Sequence, residues 1–199
     1  MPYDAANDPY IDTTTGILIN KLDIADAHSL EQAEAEITAA IIASVQLPAN
    51  IKQADFTKGL FLELHREIFG NIYEWAGSLR SIDISKGDSY FAHSAYIDAS
   101  LDTLFSELTA DTKLQSREKD VFVSAITHYH SELNAIHPFR EGNGRLIRTF
   151  LGLVAENSGW FVDWSNIDPA SNITASIQAF KGDCTLLLSM MSSITSPNI

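Results

Sequence analysis

The stretch HPFREGNGR, at residues 137–145, is the feature that most constrains how this chain folds. Proline and glycine both penalise a helix interior, so these nine residues cannot continue the helical pattern of residues 118–135 that precedes them. A second helical pattern covers residues 143–157. The sequence therefore predicts two helices joined by a short, glycine-containing loop.

Most of the remaining chain also carries apolar residues at helical spacing. These patterns predict five further helices, at residues 29–48, 57–69, 97–109 and, as a pair, 169–191. Ser29 followed by Gln32 resembles a capping box at the start of the first of them. Residues 79–92 differ, because β-compatible arms flank a Lys86-Gly87-Asp88 turn, which predicts a short hairpin.

No internal repeat or linker interrupts these patterns, so the predicted fold class is mostly α: a helical bundle with a small β-hairpin. We expect residues 1–50 to form an arm and a helix that pack on the core. Residues 51–192 would then form the main domain, and residues 193–199 a flexible tail.

The charge balance limits the classes of partner. With 13 basic and 26 acidic residues, the formal net charge of −13 repels nucleic acid and anionic membranes, so we expect neither as a direct partner. No apolar run is long enough to span a bilayer and no leader pattern is present. Cys184 is the single cysteine and is expected to be a buried apolar residue, without a disulfide. These features favour a cytoplasmic protein.

The loop between the two central helices has the composition of an anion site. Gly142, Asn143 and Gly144 would let backbone N–H groups approach a phosphate closely, at the start of a helix whose dipole favours negative charge. Arg145 and Arg148 lie three residues apart, on the same side of that helix, where they could neutralise further oxygens. The pattern predicts a polyphosphate site.

Two more loop residues suggest chemistry at that site. Glu141 would repel bare phosphate, but Mg²⁺ held between a carboxylate and substrate phosphates removes the conflict. His137 could take a proton from an attacking hydroxyl. Phe139 is expected to point inward and fix the loop. Each residue alone is more often a cap, a turn or a surface charge; only their joint spacing favours a catalytic site.

The motif HPFREGNGRLIR, at residues 137–148, resembles the signature His-Pro-Phe-x-(Asp/Glu)-Gly-Asn-Gly-Arg-x-x-Arg of Fic domains, with no departure at any motif position. LHREIFGNIYEWAGSLR resembles the upstream helix and Tyr-x-Trp-Ala-Gly corner of that family, also known as Fic/Doc or Fido. IDISKGDSYFA resembles its hairpin, the flap. NKLDIADAHSLEQAEAEIT resembles the N-terminal region of the stand-alone bacterial toxin subgroup, whose members work with a separate antitoxin.

The resemblance implies a Fic fold, with the Fic domain at residues 51–192, and transfer of AMP from ATP to a hydroxyl side chain of a target protein. It implies that His137 is the general base, that Glu141 holds Mg²⁺ and that three residues form the anion hole, namely Gly142, Asn143 and Gly144. Arg145 and Arg148 would bind the β- and γ-phosphates, and Lys86 and Gly87 would touch the nucleotide. The flap would dock the target's extended segment through Ser85, Asp88, Ser89, Tyr90 and Phe91.

Regulation and target follow from the same resemblance. Fic proteins are typically restrained by a Ser/Thr-x-x-x-Glu-Gly/Asn motif, which this sequence lacks. The restraint would then come from a separate small antitoxin, whose glutamate would reach Arg148. The toxin subgroup suggests the ATPase subunit of DNA gyrase or topoisomerase IV as target. A chain that ends soon after the Fic core favours an intracellular toxin over an exported effector.

Two other functions stay open. A Fic-fold enzyme with a similar loop could transfer a different phosphate-containing group, although the intact glycine-asparagine-glycine-arginine run favours AMP. The chain could also be a catalytically silent module that uses its hairpin to dock a partner. A silent module has no need for a base, a metal ligand and two phosphate-binding arginines together.

Overall fold

The computed structural model of the chain describes residues 8–86 and 89–198, and the side chain of Ser89 lies outside this description. Within these residues the chain is mostly helical. Its helices are α1 (Ala27–Ser44), α2 (Lys58–Phe69), α3 (Ile97–Ala110), α4 (Lys119–Ile136), α5 (Asn143–Asn157), α6 (Pro169–Phe180) and α7 (Thr185–Ile194). Its strands are β1 (Ser85–Lys86), β2 (Ser89–Tyr90), β3 (Trp160–Val162) and β4 (Thr195–Pro197). The predicted mostly α fold with a small hairpin is confirmed.

The first helix begins earlier than its sequence pattern indicates. Asp26 is the N-cap of α1, because its carboxylate accepts a hydrogen bond of 2.7 Å from the Ser29 backbone N–H. Ser29 therefore lies within the helix, and the capping box expected there does not form. The helix ends at Ser44, four residues before Pro48.

The buried face of α1 also differs from the apolar stripe expected for it. The buried residues of this helix are Leu30, Glu34 and Thr38, at intervals of four. Two of the three are polar, so α1 contributes polar groups to the interior. The Tyr73 hydroxyl donates a hydrogen bond to the Glu34 carboxylate, which partly satisfies that buried group.

An aromatic cluster forms the centre of the bundle beneath the predicted loop. Phe61 of α2 contacts Phe105, Phe139 and Phe150, with ring centroids 5.2–5.8 Å apart. Phe139 comes from the loop itself and is fully buried, as expected. Because this ring is part of the core, the loop is tied to the bundle through apolar burial.

The end of the chain is more ordered than expected. α7 continues to Ile194, and β4 pairs in antiparallel fashion with β3, with Trp160 opposite Pro197. Of the residues expected to form a flexible tail, Ser193 and Ile194 end α7, and Thr195–Pro197 form one strand of a two-stranded ribbon. The expectation for Cys184 is wrong: this thiol is exposed, directly before α7.

The hairpin lies between α2 and α3, and its strands pair with Ser85 opposite Tyr90 and Lys86 opposite Ser89. The return strand continues to the body of the protein, because the Ala92 N–H donates to the Ala135 carbonyl of α4 at 3.1 Å. In the part of the chain that is described, no helix combines the length and apolar character needed to cross a membrane.

Candidate active site

The loop between α4 and α5 is held by the side chain of its asparagine. The Asn143 amide accepts a hydrogen bond of 2.9 Å from the Phe139 N–H and donates one of 2.8 Å to the Phe139 carbonyl. Asn143 is 3% exposed. Its side chain therefore fixes the loop, and its backbone N–H lies at the first residue of α5.

His65 of α2 supports the same loop from below. Its imidazole stacks on Phe139 with ring centroids 3.7 Å apart. Its Nδ1 accepts the Gly77 N–H at 2.8 Å, so the proton is on Nε2, which lies 3.1 Å from the Glu141 carbonyl oxygen. Burial lowers the pKa of His65 to about 4. The neutral ring thus joins the Gly77 corner to the loop.

Gly142 is the residue that allows α5 to begin here. Its φ is +83°, in the left-handed region, and a Cβ on it would lie 2.3 Å from the Phe69 ring. Any side chain would be both strained and in collision. Glycine at this position therefore allows Phe69 to pack against the start of α5. The first N–H groups of an α-helix have no partners within the helix and form its positive dipole end, so α5 presents such donors at the loop.

His137 lies at the opposite lip, where α4 ends. It caps α4 in the left-handed region, with φ +48°, and its N–H donates to the Leu133 carbonyl. Its Nδ1 lies 3.3 Å from the Asn134 carbonyl oxygen, so Nδ1 is the donor and Nε2 keeps its lone pair. Burial lowers the pKa of His137 to about 3, an effect that the positive charges of Arg80 and Lys86 strengthen. The imidazole is therefore neutral at physiological pH and able to accept a proton.

The flap covers one face of this imidazole. Phe91 stacks on His137 with ring centroids 3.8 Å apart and an interplanar angle of 15°. Ser85, Lys86 and Tyr90 lie on the paired strands beside it, and Tyr90 is exposed. Two residues expected at the flap tip, Gly87 and Asp88, lie outside the described residues. The described flap residues are thus adjacent to the loop between α4 and α5.

Glu141 is a partly exposed carboxylate at the start of the loop's glycines. One of its oxygens accepts the Gly142 N–H at 2.8 Å and lies 3.7 Å from an Arg145 guanidinium nitrogen. Across residues 8–86 and 89–198 no group of three or more His, Cys, Asp or Glu side chains could hold a metal alone. Mg²⁺ commonly binds one or two carboxylates together with substrate phosphates. A single carboxylate beside an anion site fits a metal that binds together with a nucleotide.

The two arginines of α5 have different surroundings. Arg145 is paired with the Glu34 carboxylate, donates to the Thr38 hydroxyl at 3.2 Å, and lies 4.9 Å from the centre of the Phe69 ring. The guanidinium of Arg148 makes no hydrogen bond or ion pair with any other described residue. Burial and the neighbouring Arg145 lower the pKa of Arg148. Arg148 is thus the less satisfied cation of the two.

Arg148 lines an open groove of about 550 Å³ along α5. Apolar side chains, among them Leu153, Phe161 and Trp164, form much of the groove, and Arg145 borders it at the loop end. A second cavity, of about 490 Å³, lies on the other side of Arg145, between α1 and Glu141. Arg145 therefore separates two spaces, and both predicted phosphate-binding arginines reach open volume.

Several polar residues around the loop were not singled out from sequence. Arg140 is buried and paired with Asp8 at 2.6 Å, which ties the N-terminal arm to the loop. Arg80 is buried beneath the flap and donates to the His137 carbonyl at 2.8 Å. Glu34 is the third such polar residue. The sequence does contain an indication of its burial, because Glu34 and Thr38, four residues apart, interrupt the apolar face of a helix. Isolated arginines give no comparable signal.

Comparison with known proteins agrees with this geometry. A sequence model of the Fic/DOC family matches residues 55–155, which includes α2, the hairpin, the loop and most of α5. The chain is 34% identical over 189 residues to "Protein adenylyltransferase VbhT" of Bartonella schoenbuchensis, and the match covers 95% of this chain but 39% of that protein. It is 32% identical over 194 residues to "Probable protein adenylyltransferase Fic" of Escherichia coli, covering 98% of this chain and 95% of that one.

Solved structures show the same fold. The BepC protein of Bartonella tribocorum, a VirB-translocated effector with bound AMPPNP, superposes with a TM-score of 0.84 at 25% identity, covering 94% of this chain and 96% of that one. The N-terminal Fic domain of a Bep effector from Bartonella quintana, with bound ADP, superposes with a TM-score of 0.86 at 26% identity, covering 94% of each chain. Both of these structures contain an adenine nucleotide.

Proposed function

The chain belongs to the Fic/DOC family, and on that premise we propose that it is a protein adenylyltransferase. It transfers AMP from ATP to a hydroxyl side chain of a target protein and releases pyrophosphate. The observation that carries the proposal is the position of a neutral His137, with its Nε2 lone pair free, opposite the glycine-bounded start of α5. The proposed base and the proposed anion site lie at the two ends of one short loop.

Each group of the site has its own role in the proposed reaction. The target hydroxyl gives its proton to His137 Nε2 while its oxygen attacks the α-phosphorus of ATP. The bond from that phosphorus to the bridging oxygen of the β-phosphate breaks, and pyrophosphate leaves with the bonding electron pair. The N–H groups at the start of α5 and the guanidinium of Arg148 stabilise the negative charge that develops on the phosphates.

A magnesium ion would be held by the Glu141 carboxylate together with the phosphates of ATP. When bound, it supplies positive charge that offsets the repulsion between Glu141 and the nucleotide and stabilises the leaving pyrophosphate. Arg145, which Glu34 and Thr38 orient, lies beside Glu141 and holds the neighbouring phosphate oxygens. Lys86 and Gly87 complete the nucleotide contacts from the flap.

The target protein would pair with the edge of the flap. A two-stranded hairpin leaves unpaired backbone groups along its outer edge, and an extended segment can add to it as a further strand. Ser85 lies on β1, and Ser89 and Tyr90 lie on β2, which leads to Phe91 and its contact with His137. We propose that Asp88 docks the target together with them. A hydroxyl side chain on the paired segment would then lie close to the base.

The proposed targets are the ATPase subunits of type II topoisomerases.

A separate small protein would restrain the enzyme. The groove along α5 combines apolar walls with Arg148, which has no ion-pair partner among the described residues, and this suits an amphipathic helix that carries one glutamate. Such a glutamate would neutralise Arg148 and exclude the γ-phosphate. The chain would then be the toxin of a toxin–antitoxin pair, acting in the cytoplasm, where ATP and Mg²⁺ are available.

The first experiment supplies the purified protein with Mg²⁺, a bacterial lysate, and ATP labelled at either the α- or the γ-phosphate. Label on a lysate protein from the α position alone supports AMP transfer, whereas label from the γ position alone supports transfer of phosphate. His137→Ala should abolish labelling while ATP binding persists, and Arg148→Ala should weaken ATP binding. A wild-type protein that labels nothing under any condition would favour the silent docking module.

A further inference from the structure

Arg80 lies directly before the flap and is only 2% exposed. It donates hydrogen bonds to four backbone carbonyls, which fall into two groups on different parts of the chain. A guanidinium is planar and rigid, with five donors in a fixed arrangement, so it can hold several acceptors at set positions relative to one another.

The first pair of carbonyls flanks the flap. One Arg80 nitrogen donates to the Ile82 carbonyl at 2.6 Å and another donates to the Ala92 carbonyl. Ile82 precedes β1 and Ala92 follows β2, so Arg80 closes the hairpin at its base. A two-stranded hairpin with two paired residues in each strand has little stability of its own. Its orientation therefore depends on what holds its base.

The second pair of carbonyls lies at the catalytic end of α4. Arg80 donates to the Ile136 carbonyl at 3.2 Å and to the His137 carbonyl at 2.8 Å, while its own backbone N–H donates to the Pro138 carbonyl at 2.9 Å. The last carbonyls of a helix lack partners within the helix and form its negative end, so a cation there is favourable. Arg80 thus caps α4 at the residue that carries the imidazole.

We propose that Arg80 is a positioning residue, which sets the distance between the flap and His137 and so brings a hydroxyl of a flap-bound target within reach of the imidazole. The inference rests on the proposed function, because positioning matters only if the flap presents a substrate to His137. Arg80 touches neither the target nor the nucleotide in this scheme. Its loss should therefore impair use of the target protein and spare ATP binding.

The stack of Phe91 on His137 provides a readout that does not depend on activity. A ring at 3.8 Å shifts the NMR signals of the imidazole protons, and Phe91→Leu calibrates that shift. Arg80→Lys keeps the charge but cannot span four carbonyls, and Arg80→Met is a second variant that fills the volume without charge. Val123→Ala is the control, because Val123 is buried in the first turns of the same helix, about 20 Å from His137.

In Arg80→Lys we expect the His137 ring signals to move toward their values in Phe91→Leu, and kcat/KM for the labelled lysate protein to fall about 10²-fold. The affinity for ATP with Mg²⁺, measured by calorimetric titration, should stay unchanged. Val123→Ala should alter none of the three measurements, whatever its effect on Tm.

Unmoved ring signals in both Arg80 variants would overturn the inference, as would displaced signals with unimpaired transfer, or an equal loss of transfer in Val123→Ala. A wild-type protein that transfers no AMP contradicts the proposed function instead. The ring signals then still decide whether Arg80 sets the separation of flap and imidazole.

Discussion

The guanidinium of Arg145 is paired with the carboxylate of Glu34, which lies 111 residues earlier in the chain. Arg148, one turn further along α5, has no such partner among the described residues. The two arginines of the motif are therefore not equivalent: α1 holds Arg145 in place, and Arg148 remains available to a ligand. The N-terminal helix is thus part of the proposed nucleotide site.

Replacing Glu34 tests this dependence. Glu34→Gln should raise the KM for ATP about tenfold, because the amide cannot hold the guanidinium by charge. It should also lower the free energy of unfolding by about 2 kcal/mol, since the pair is largely buried. Glu36→Gln, an exposed change on the same helix, is the control for both measurements. An unchanged KM in Glu34→Gln would show that α1 does not position Arg145.

Gly144 leaves room for the side chain of Arg148. A Cβ on Gly144 would lie 3.3 Å from an Arg148 guanidinium nitrogen, so Gly144→Ala should displace that group and weaken ATP binding about tenfold. Gly152→Ala, on the same helix, meets only an ordinary contact of 3.4 Å with the Trp164 ring nitrogen. That variant should bind ATP normally and gain about 0.5–1 kcal/mol of stability from helix propensity. Equal ATP affinities in the two variants would contradict the prediction.

The pH dependence of transfer should reflect the environment of His137. An exposed histidine loses its base function as the pH falls through about 6.5, whereas the lowered pKa of His137, about 3, keeps its ring neutral well below that value. We therefore expect kcat/KM to stay level from about pH 8 to about pH 6. Initial rates of AMP transfer measured over this pH range test the prediction. A fall in kcat/KM with its midpoint near the ordinary histidine pKa would contradict it.

Two other buried histidines should make the fold sensitive to acid. Burial lowers the pKa of both His65 and His130 to about 4. In the unfolded chain each binds a proton below about pH 6.5, but in the folded protein each does so only near its lowered pKa. The free energy of unfolding should therefore fall as the pH drops from about 6.5 to about 4, with each histidine contributing about 2 kcal/mol of the loss at pH 5.

Urea unfolding at about pH 7.5 and at about pH 5 measures that loss. In His130→Phe, which keeps an aromatic ring against Trp164, the difference between the two pH values should shrink by about 2 kcal/mol. His28→Asn removes an exposed histidine of α1 and should keep the wild-type difference. The same pH dependence in His130→Phe as in wild type would assign the acid sensitivity to other groups.

Local features of the site could be predicted from the sequence because short-range geometry dictates them. Pro138 and Gly142 prevent a continuous helix, and the interval from Arg145 to Arg148 places both side chains on one side of the next helix. The hairpin could be predicted from its turn residues for the same reason. The burial of Phe139 could also be predicted, since a large apolar ring within a polar loop is more stable in the core than in water.

Contacts between distant parts of the chain could not be predicted in that way. The position of Glu34 on its helix indicates that a polar residue interrupts the apolar face, but nothing in the sequence shows that its partner is Arg145, 111 residues later. Arg80 gives no such signal, and its contact with the His137 carbonyl joins residues 57 positions apart. Cys184 was expected to be buried from residue type alone, but its place at the start of α7 exposes it. Residue-type statistics carry no information about which surface a neighbouring element covers.

The sequence by itself determined the order of the helices, the loop and the hairpin, and it supplied the residues proposed as the base and the anion site, because backbone dihedral preferences and helical periodicity act over a few neighbouring residues. Only the tertiary structure decided that α1 supplies a carboxylate to Arg145, that Arg80 joins the flap to α4, and that β4 pairs with β3. Buried polar groups need partners wherever the packed chain provides them, and that requirement is satisfied in space, not along the sequence.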